Sequence, residues 1–105
     1  MRSLLIKLVL TAFLASIGVV GARAQDTADL YKTKCQACHG ADGKGDTAAG
    51  KKLGIKDFHS PEIAKMSDQE LFDITKKGKD KMPKYDGKLT DDQIKDLIKY
   101  IRSLK

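Results

Sequence analysis

Two cysteines and a histidine fall within five residues, Cys35-Gln36-Ala37-Cys38-His39, and these are the only two cysteines in the 105-residue chain. The spacing C-x-x-C-H is that of a c-type haem attachment site. Two thiols about one turn of chain apart match the two vinyl groups on one side of a porphyrin, and each would form a thioether bond. His39 follows directly and is placed to take the iron as proximal ligand. Three other chemistries could use the same residues. A Cys35–Cys38 disulfide would close only a very small loop. A thioredoxin-like redox pair needs a βαβ setting, of which the chain beyond residue 24 shows no sign. A zinc site could draw on Cys35, Cys38, His39 and His59. The usual paired spacing is missing, however, and adjacent Cys38 and His39 fit poorly on one tetrahedral ion. One covalent haem is the favoured reading.

Low-spin haem iron takes a second axial ligand, a thioether sulfur or an imidazole. Met82 stands in Gly78-Lys79-Asp80-Lys81-Met82-Pro83, between two expected helices. Pro83 fixes its own φ and restricts Met82 to extended conformations, so the sulfur can be aimed out of a loop rather than absorbed into a helix. Met82 is the favoured distal ligand. Met66 and His59 are its rivals, and an open site is the fourth possibility. Met66 would otherwise be core filler, and His59 a loop histidine.

The elements that must position these residues are helical. Asp26 can cap a first helix that carries Leu30 and Tyr31 and ends near Cys35. Residues 40–57 hold five of the nine glycines and read as a long Ω-like loop. Ser60-Pro61-Glu62 opens a short helix, with Pro61 at its first position. Ser67-Asp68-Gln69-Glu70 and Thr90-Asp91-Asp92-Gln93 are capping boxes that start two more helices. Gly78 ends the first of these two. The second carries Ile94, Leu97, Ile98 and Ile101 at i, i+3, i+4 and i+7.

Composition bounds the rest. Residues 1–24 hold 16 of the 43 apolar residues, and residues 25–105 contain no valine, a poor prospect for a sheet. The first stretch has Arg2 and Lys7, an uncharged run from Leu8 to Val20, and Ala22-Arg23-Ala24 before Gln25. That is the layout of a secretory signal peptide cut after Ala24. The run is too short for a membrane span. The expected organisation is therefore a cleaved leader at 1–24 and one domain at 25–105. The product should be soluble, monomeric and periplasmic. Cleavage would lower the net charge from +6 to +3. Only 19 apolar residues beyond position 24 are larger than Ala or Cys, too thin a core to stand without a staple.

Leu30-Tyr31, Cys35 to Gly40, Ala41-Asp42-Gly43-Lys44-Gly45, Gly78 to Pro83 and the closing helix from Asp91 together resemble a class I cytochrome c of the small, soluble, single-haem bacterial kind. The resemblance covers essentially all of residues 25–105. It implies an all-α cytochrome c fold, about four helices and long loops wrapped around one covalent haem c, with electron transfer as the function. It also implies that Tyr31 meets Leu97, Tyr100 or Ile101 where the first and last helices cross. One departure stands out. Many members carry a proline soon after the haem motif whose carbonyl holds the proximal histidine, and none lies between Gly40 and Ser60. Trp is also missing, so Tyr85 either takes the aromatic position near the propionates or half-covers the core from a loop.

Leu53, Ile55, Phe58, Ile63, Leu71, Phe72, Ile74 and Leu89 are candidates to line the haem pocket. Lys76, Lys77, Lys79, Lys81, Lys84 and Lys88 cluster around Met82, opposed only by Asp80 and Asp86. Such a collar would steer an acidic redox partner, although it also reads as a solvated loop. Nucleic acid fits poorly, because the chain has no base-reading module. An enzyme, such as a peroxidase or gas sensor, would need an open distal site. A subunit docked permanently on a larger oxidase or dehydrogenase is the other alternative.

Overall fold

The computed structural model describes residues 23–105, so nearly all of the expected leader lies outside the described residues. Among the described residues the regular structure is all helix, with two isolated bridges in loops. Helix α1 covers residues 23–34 and is followed by α2, Gln36–His39. Helices α3, Ala48–Leu53, and α4, Pro61–Ala64, are short; α5, Asp68–Lys77, and α6, Asp91–Ser103, are the long ones.

Each of the later helices starts where its sequence signal stands. Ser67 and Thr90 both complete capping boxes, their hydroxyls accepting from the Glu70 and Gln93 N–H groups. The Glu70 and Gln93 side chains accept in turn from the cap backbone, which satisfies two orphan donors at each end. Ser60 caps α4 with Pro61 at its start. Gly78 ends α5 with φ 79°.

The first half departs from expectation in three places. Asp26 lies inside α1 rather than at its cap, since the helix is already running at residue 23. Arg23 there pairs with Asp96 of α6 at 3.0 Å. The loop expected over 40–57 contains α3, which Thr47 caps by accepting from the Gly50 N–H and which left-handed Gly54 terminates. The haem motif itself forms α2, set off from α1 by a break at Cys35, whose φ is −122°. Six helices therefore stand among the described residues where about four were expected, the additions being these short turns.

The core is small. Tyr31, Leu71, Tyr85, Leu89, Ile94, Leu97 and Ile98 are its buried apolar residues. Tyr31 packs on Tyr100 with ring centroids 5.0 Å apart, joining α1 to α6 as the resemblance implied. Its hydroxyl donates to the Gly40 carbonyl at 2.5 Å. Tyr85 also belongs to this core, and its hydroxyl donates to the Lys34 carbonyl at 2.8 Å.

Helix α3 seats directly behind the haem motif. The Thr47 hydroxyl donates to the Cys38 carbonyl at 3.0 Å, and buried Gly50 leaves the space through which that carbonyl approaches. A Cβ at Gly50 would stand 2.5 Å from the Cys38 oxygen, and nearer still to the Gly45 oxygen. Both neighbours are backbone, so they cannot rotate away. Gly50→Ala should therefore push α3 off the motif and destabilise the protein by about 2 kcal/mol or more, in the range of overpacked interiors. Ala49→Gly, on the same helix, should cost only about 1 kcal/mol. Thermal denaturation of the two variants checks the order.

Candidate functional site: a thiol, imidazole and thioether cavity

A cavity of about 620 Å³ opens between α2, the loop leading to α4, the face of α5 and the inner side of α6. That volume lies within the usual range for cofactor sites. Cys35, Cys38, His39 and Met82 all line it. Both cysteines are free thiols, so the disulfide reading is not realised. No cluster of three or more metal-binding side chains of the zinc type occurs among the described residues.

Burial sets the chemistry of Cys35 and His39. The Cys35 thiol is pushed up to about 11, first by desolvation and then by Cys38 beside it. Burial lowers the pKa of His39, which keeps its imidazole neutral and its lone pair available to a metal. The Tyr31 phenol is held far above its ordinary range, mainly by burial. Nδ1 of His39 is buried and has no hydrogen-bond partner. The carbonyl that the missing proline would supply is thus not replaced by another acceptor among the described residues.

The Met82 loop is tightly built. Lys79 and Met82 exchange backbone hydrogen bonds of 3.2 and 2.9 Å around Asp80, whose φ is +53°. Gly78 lets the returning strand of this loop pass close by, since a Cβ there would lie 2.9 Å from the Met82 oxygen. Met66 lines the cavity as well. His59 does not: its Nδ1 faces Asp57 Oδ1 at 2.7 Å and its Nε2 faces the Leu104 carbonyl at 2.5 Å. With both ring nitrogens engaged, His59 has no free nitrogen for iron.

Of the expected apolar lining, Leu53, Ile55, Phe58, Ile63, Leu71 and Ile74 are in the wall, whereas Phe72 and Leu89 are not. The reason is helical phase: Leu71, Ile74 and Thr75 share one face of α5, and Phe72 turns away to pack on the core. Leu89 is buried in that core just ahead of α6. The wall also takes in Tyr31, Tyr85 and, from the apolar stripe of α6, Leu97, Ile98 and Ile101, none of which was expected there on the strength of the sequence pattern. Thr47 was also overlooked, although a threonine three residues before a helical glycine is a readable cap. In the lysine cluster, Lys79 and Lys81 border the cavity, while Lys76 pairs with Asp91 at 3.0 Å and is not a free docking charge.

An apolar cavity with two thiols, a neutral imidazole and a thioether in its wall fits a covalently held haem. Comparison with known proteins agrees. Residues 22–101 match the family model described as cytochrome c oxidase, cbb3-type, subunit III. The chain is similar to the cytochrome c subunit of the cytochrome bc1 complex of Corynebacterium diphtheriae, 30% identical over 84% of this chain and 30% of the relative. The equivalent subunit of Mycobacterium leprae is 29% identical over 72% of this chain and 25% of the relative. The chain thus spans less than a third of the length of these curated relatives. Among solved structures, the KustC0563 c-type cytochrome superposes with TM-score 0.68 at 34% identity, covering 74% of this chain and 95% of that one. A mutant of the same cytochrome gives the same score at 33% identity, over 76% and 99% of the two chains.

The chain belongs to the c-type cytochrome family. Its fold is the all-α fold of these proteins, and with the family come haem c binding and a role in electron transport.

His59 ties the loop before α4 to the chain end, and its bonds require the charged ring. Its pKa is raised above 6.5, chiefly by the Leu104 carbonyl and then by Asp57, with Lys44 opposing. The stability it contributes is complete below 6.5 and is lost as pH rises through the higher folded value. Asp57, held below 3.8 first by the His59 backbone N–H and then by its ring, contributes above that value. The melting temperature of the wild type should therefore fall modestly as pH rises from 6.5 towards 8.5, and His59→Gln should flatten that slope. Melting curves across this range provide the check.

Proposed function

We propose that this chain is a soluble periplasmic one-electron carrier with a single haem c. Cys35 and Cys38 hold the haem through thioethers, and His39 and Met82 are its axial ligands. The observation that carries this reading is the convergence of these four side chains, from two separate segments, on one apolar cavity. When bound, the haem accepts and returns one electron at its iron. The rest falls to the chain. Leu71, Ile74, Leu97 and Ile98 keep water from the cavity, and a low dielectric there disfavours the extra charge of the ferric state. Thioether sulfur at Met82 favours the ferrous state, so both effects raise the potential. With His39 and Met82 both holding the iron, no position would be left for a substrate, which is why we read a carrier and not an enzyme.

Localisation rests on the leader pattern over residues 1–24, and the family match begins at residue 22, close to the expected cut. Among the described residues no helix is long and apolar enough to cross a membrane. A second reading is a module tied to a larger respiratory complex. It is favoured by the bc1-complex subunits among the relatives and by the oxidase-subunit description of the family. In either case the partner is a redox protein. The exposed lysines of the Met82 segment, Lys77, Lys79, Lys81, Lys84 and Lys88, suit one with an acidic face.

Met82→Ala should lower the midpoint potential and let the ferrous protein bind carbon monoxide. Met66→Leu should do neither. Potentiometry and carbon monoxide titration of the two variants distinguish the ligands, and the reverse pattern would move the ligand to Met66. Reversing two collar charges, Lys81→Glu with Lys84→Glu, should slow electron transfer to an acidic partner by about tenfold at low salt, within the range of steered association. The loss should shrink as ionic strength rises and the Debye length falls to about 8 Å. Lys95→Glu with Lys99→Glu, an equal charge change on α6, should slow it less. Stopped-flow rates across a salt series report the difference.

A further inference from the structure

The structure assigns to Phe58 the orientation of the His39 imidazole, a task usually given to a hydrogen bond on the far ring nitrogen. The inference rests on the reading of His39 as an iron ligand. Metal-bound imidazoles almost always donate their second N–H to a carboxylate, carbonyl or water, and this bond sets the rotation of the ring. Nδ1 of His39 has no carboxylate or carbonyl partner among the described residues. The Phe58 ring instead lies against the imidazole, with centroids 4.6 Å apart and planes inclined by only 21°. Two near-parallel rings at that separation are an attractive offset stack. Turning the imidazole about its Cβ–Cγ bond would drive its edge into the Phe58 face, so the stack restrains the angle that the hydrogen bond would otherwise set.

Phe58 can do this because it is itself fixed. Its N–H donates to the Gly43 carbonyl at 2.9 Å. Gly43 is buried with φ +76°, and a Cβ there would stand 2.6 Å from Phe58 Cδ2 and 3.3 Å from Leu104 Cδ1. Gly43 therefore forms the floor on which the ring rests, with Leu104 at its side. The next residue, His59, is bonded to Asp57 and to the Leu104 carbonyl. Backbone and ring are thus held from two directions, and the ring can serve as a wall. An imidazole without an acceptor at Nδ1 is also a weaker electron donor, which acts in the same direction as the Met82 sulfur.

The test is electron paramagnetic resonance of the ferric holoprotein, whose g values follow the plane of the axial imidazole, together with the midpoint potential and the melting temperature. Phe58→Leu keeps an apolar side chain but removes the flat face. It should shift the g values and the potential. Phe58→Tyr restores the face and should return both to wild type. Phe72→Leu is the control, a half-buried core phenylalanine outside the cavity wall. It should lower the melting temperature and leave g values and potential unchanged. The inference is overturned if Phe58→Leu behaves like Phe72→Leu, losing stability with an unaltered ferric spectrum. It is equally overturned if Phe58→Tyr fails to restore the signal. A wild-type protein without a low-spin ferric signal would instead overturn the ligand assignment beneath it.

Discussion

An apolar cavity of about 620 Å³ occupies the place where a chain of this length would ordinarily put its largest side chains. Its apolar walls lie against water unless something fills the space, at about 25 cal/mol per Å² of apolar surface, and small domains have only about 5–15 kcal/mol of total stability. Five of the seven buried apolar residues, Tyr31, Leu71, Tyr85, Leu97 and Ile98, line the space without filling it. Filling it would therefore stabilise the fold. On the proposed reading a haem held by Cys35 and Cys38 would do so from within, placing a large apolar body where side chains are missing, and the group that transfers the electron would also be the centre of the core.

The polar contacts around the motif follow from the same demand. The break at Cys35 interrupts the helical ladder, and carbonyls beside it need donors. Three hydroxyls provide them, two from nine residues away and one from 51. Tyr31 reaches Gly40, Thr47 reaches Cys38 and Tyr85 reaches Lys34. Each also ties a different part of the chain to the turn that presents the thiols. Tyr85 links the loop after Met82 to the end of α1, so the two sides of the cavity are joined through one phenol. The His39 ring, by contrast, stacks on Phe58, and its Nδ1 has no polar partner among the described residues.

Much of this was legible in the chain. Cys35-Gln36-Ala37-Cys38-His39 is a local pattern, and so are the capping boxes at Ser67 and Thr90, whose bonds span three residues and owe nothing to tertiary structure. What escaped was long-range or hidden by glycine. The density of glycines over 40–57 masked α3, although Thr47 and Gly54 mark its two ends. Asp26 looked like a cap because its side chain suits one, but α1 is already helical three residues earlier. Phe72 was placed in the cavity wall because the apolar run Leu71-Phe72 does not itself reveal which residue faces inward. The stack of Phe58 on His39 joins residues 19 apart and has no sequence signature.

An electron carrier must change oxidation state without rearranging, and that requires both axial positions to be filled by side chains of a rigid frame. The reciprocal bonds that lock the Met82 loop, and the clamp around Phe58, are the parts of this chain suited to that task. The most direct test is the absorption spectrum of the purified protein in both oxidation states. The account predicts sharp α and β bands in the ferrous form and the weak far-red band of methionine ligation in the ferric form. A colourless protein would contradict the haem assignment, and a coloured one whose ferric form lacks the far-red band would contradict the axial pair.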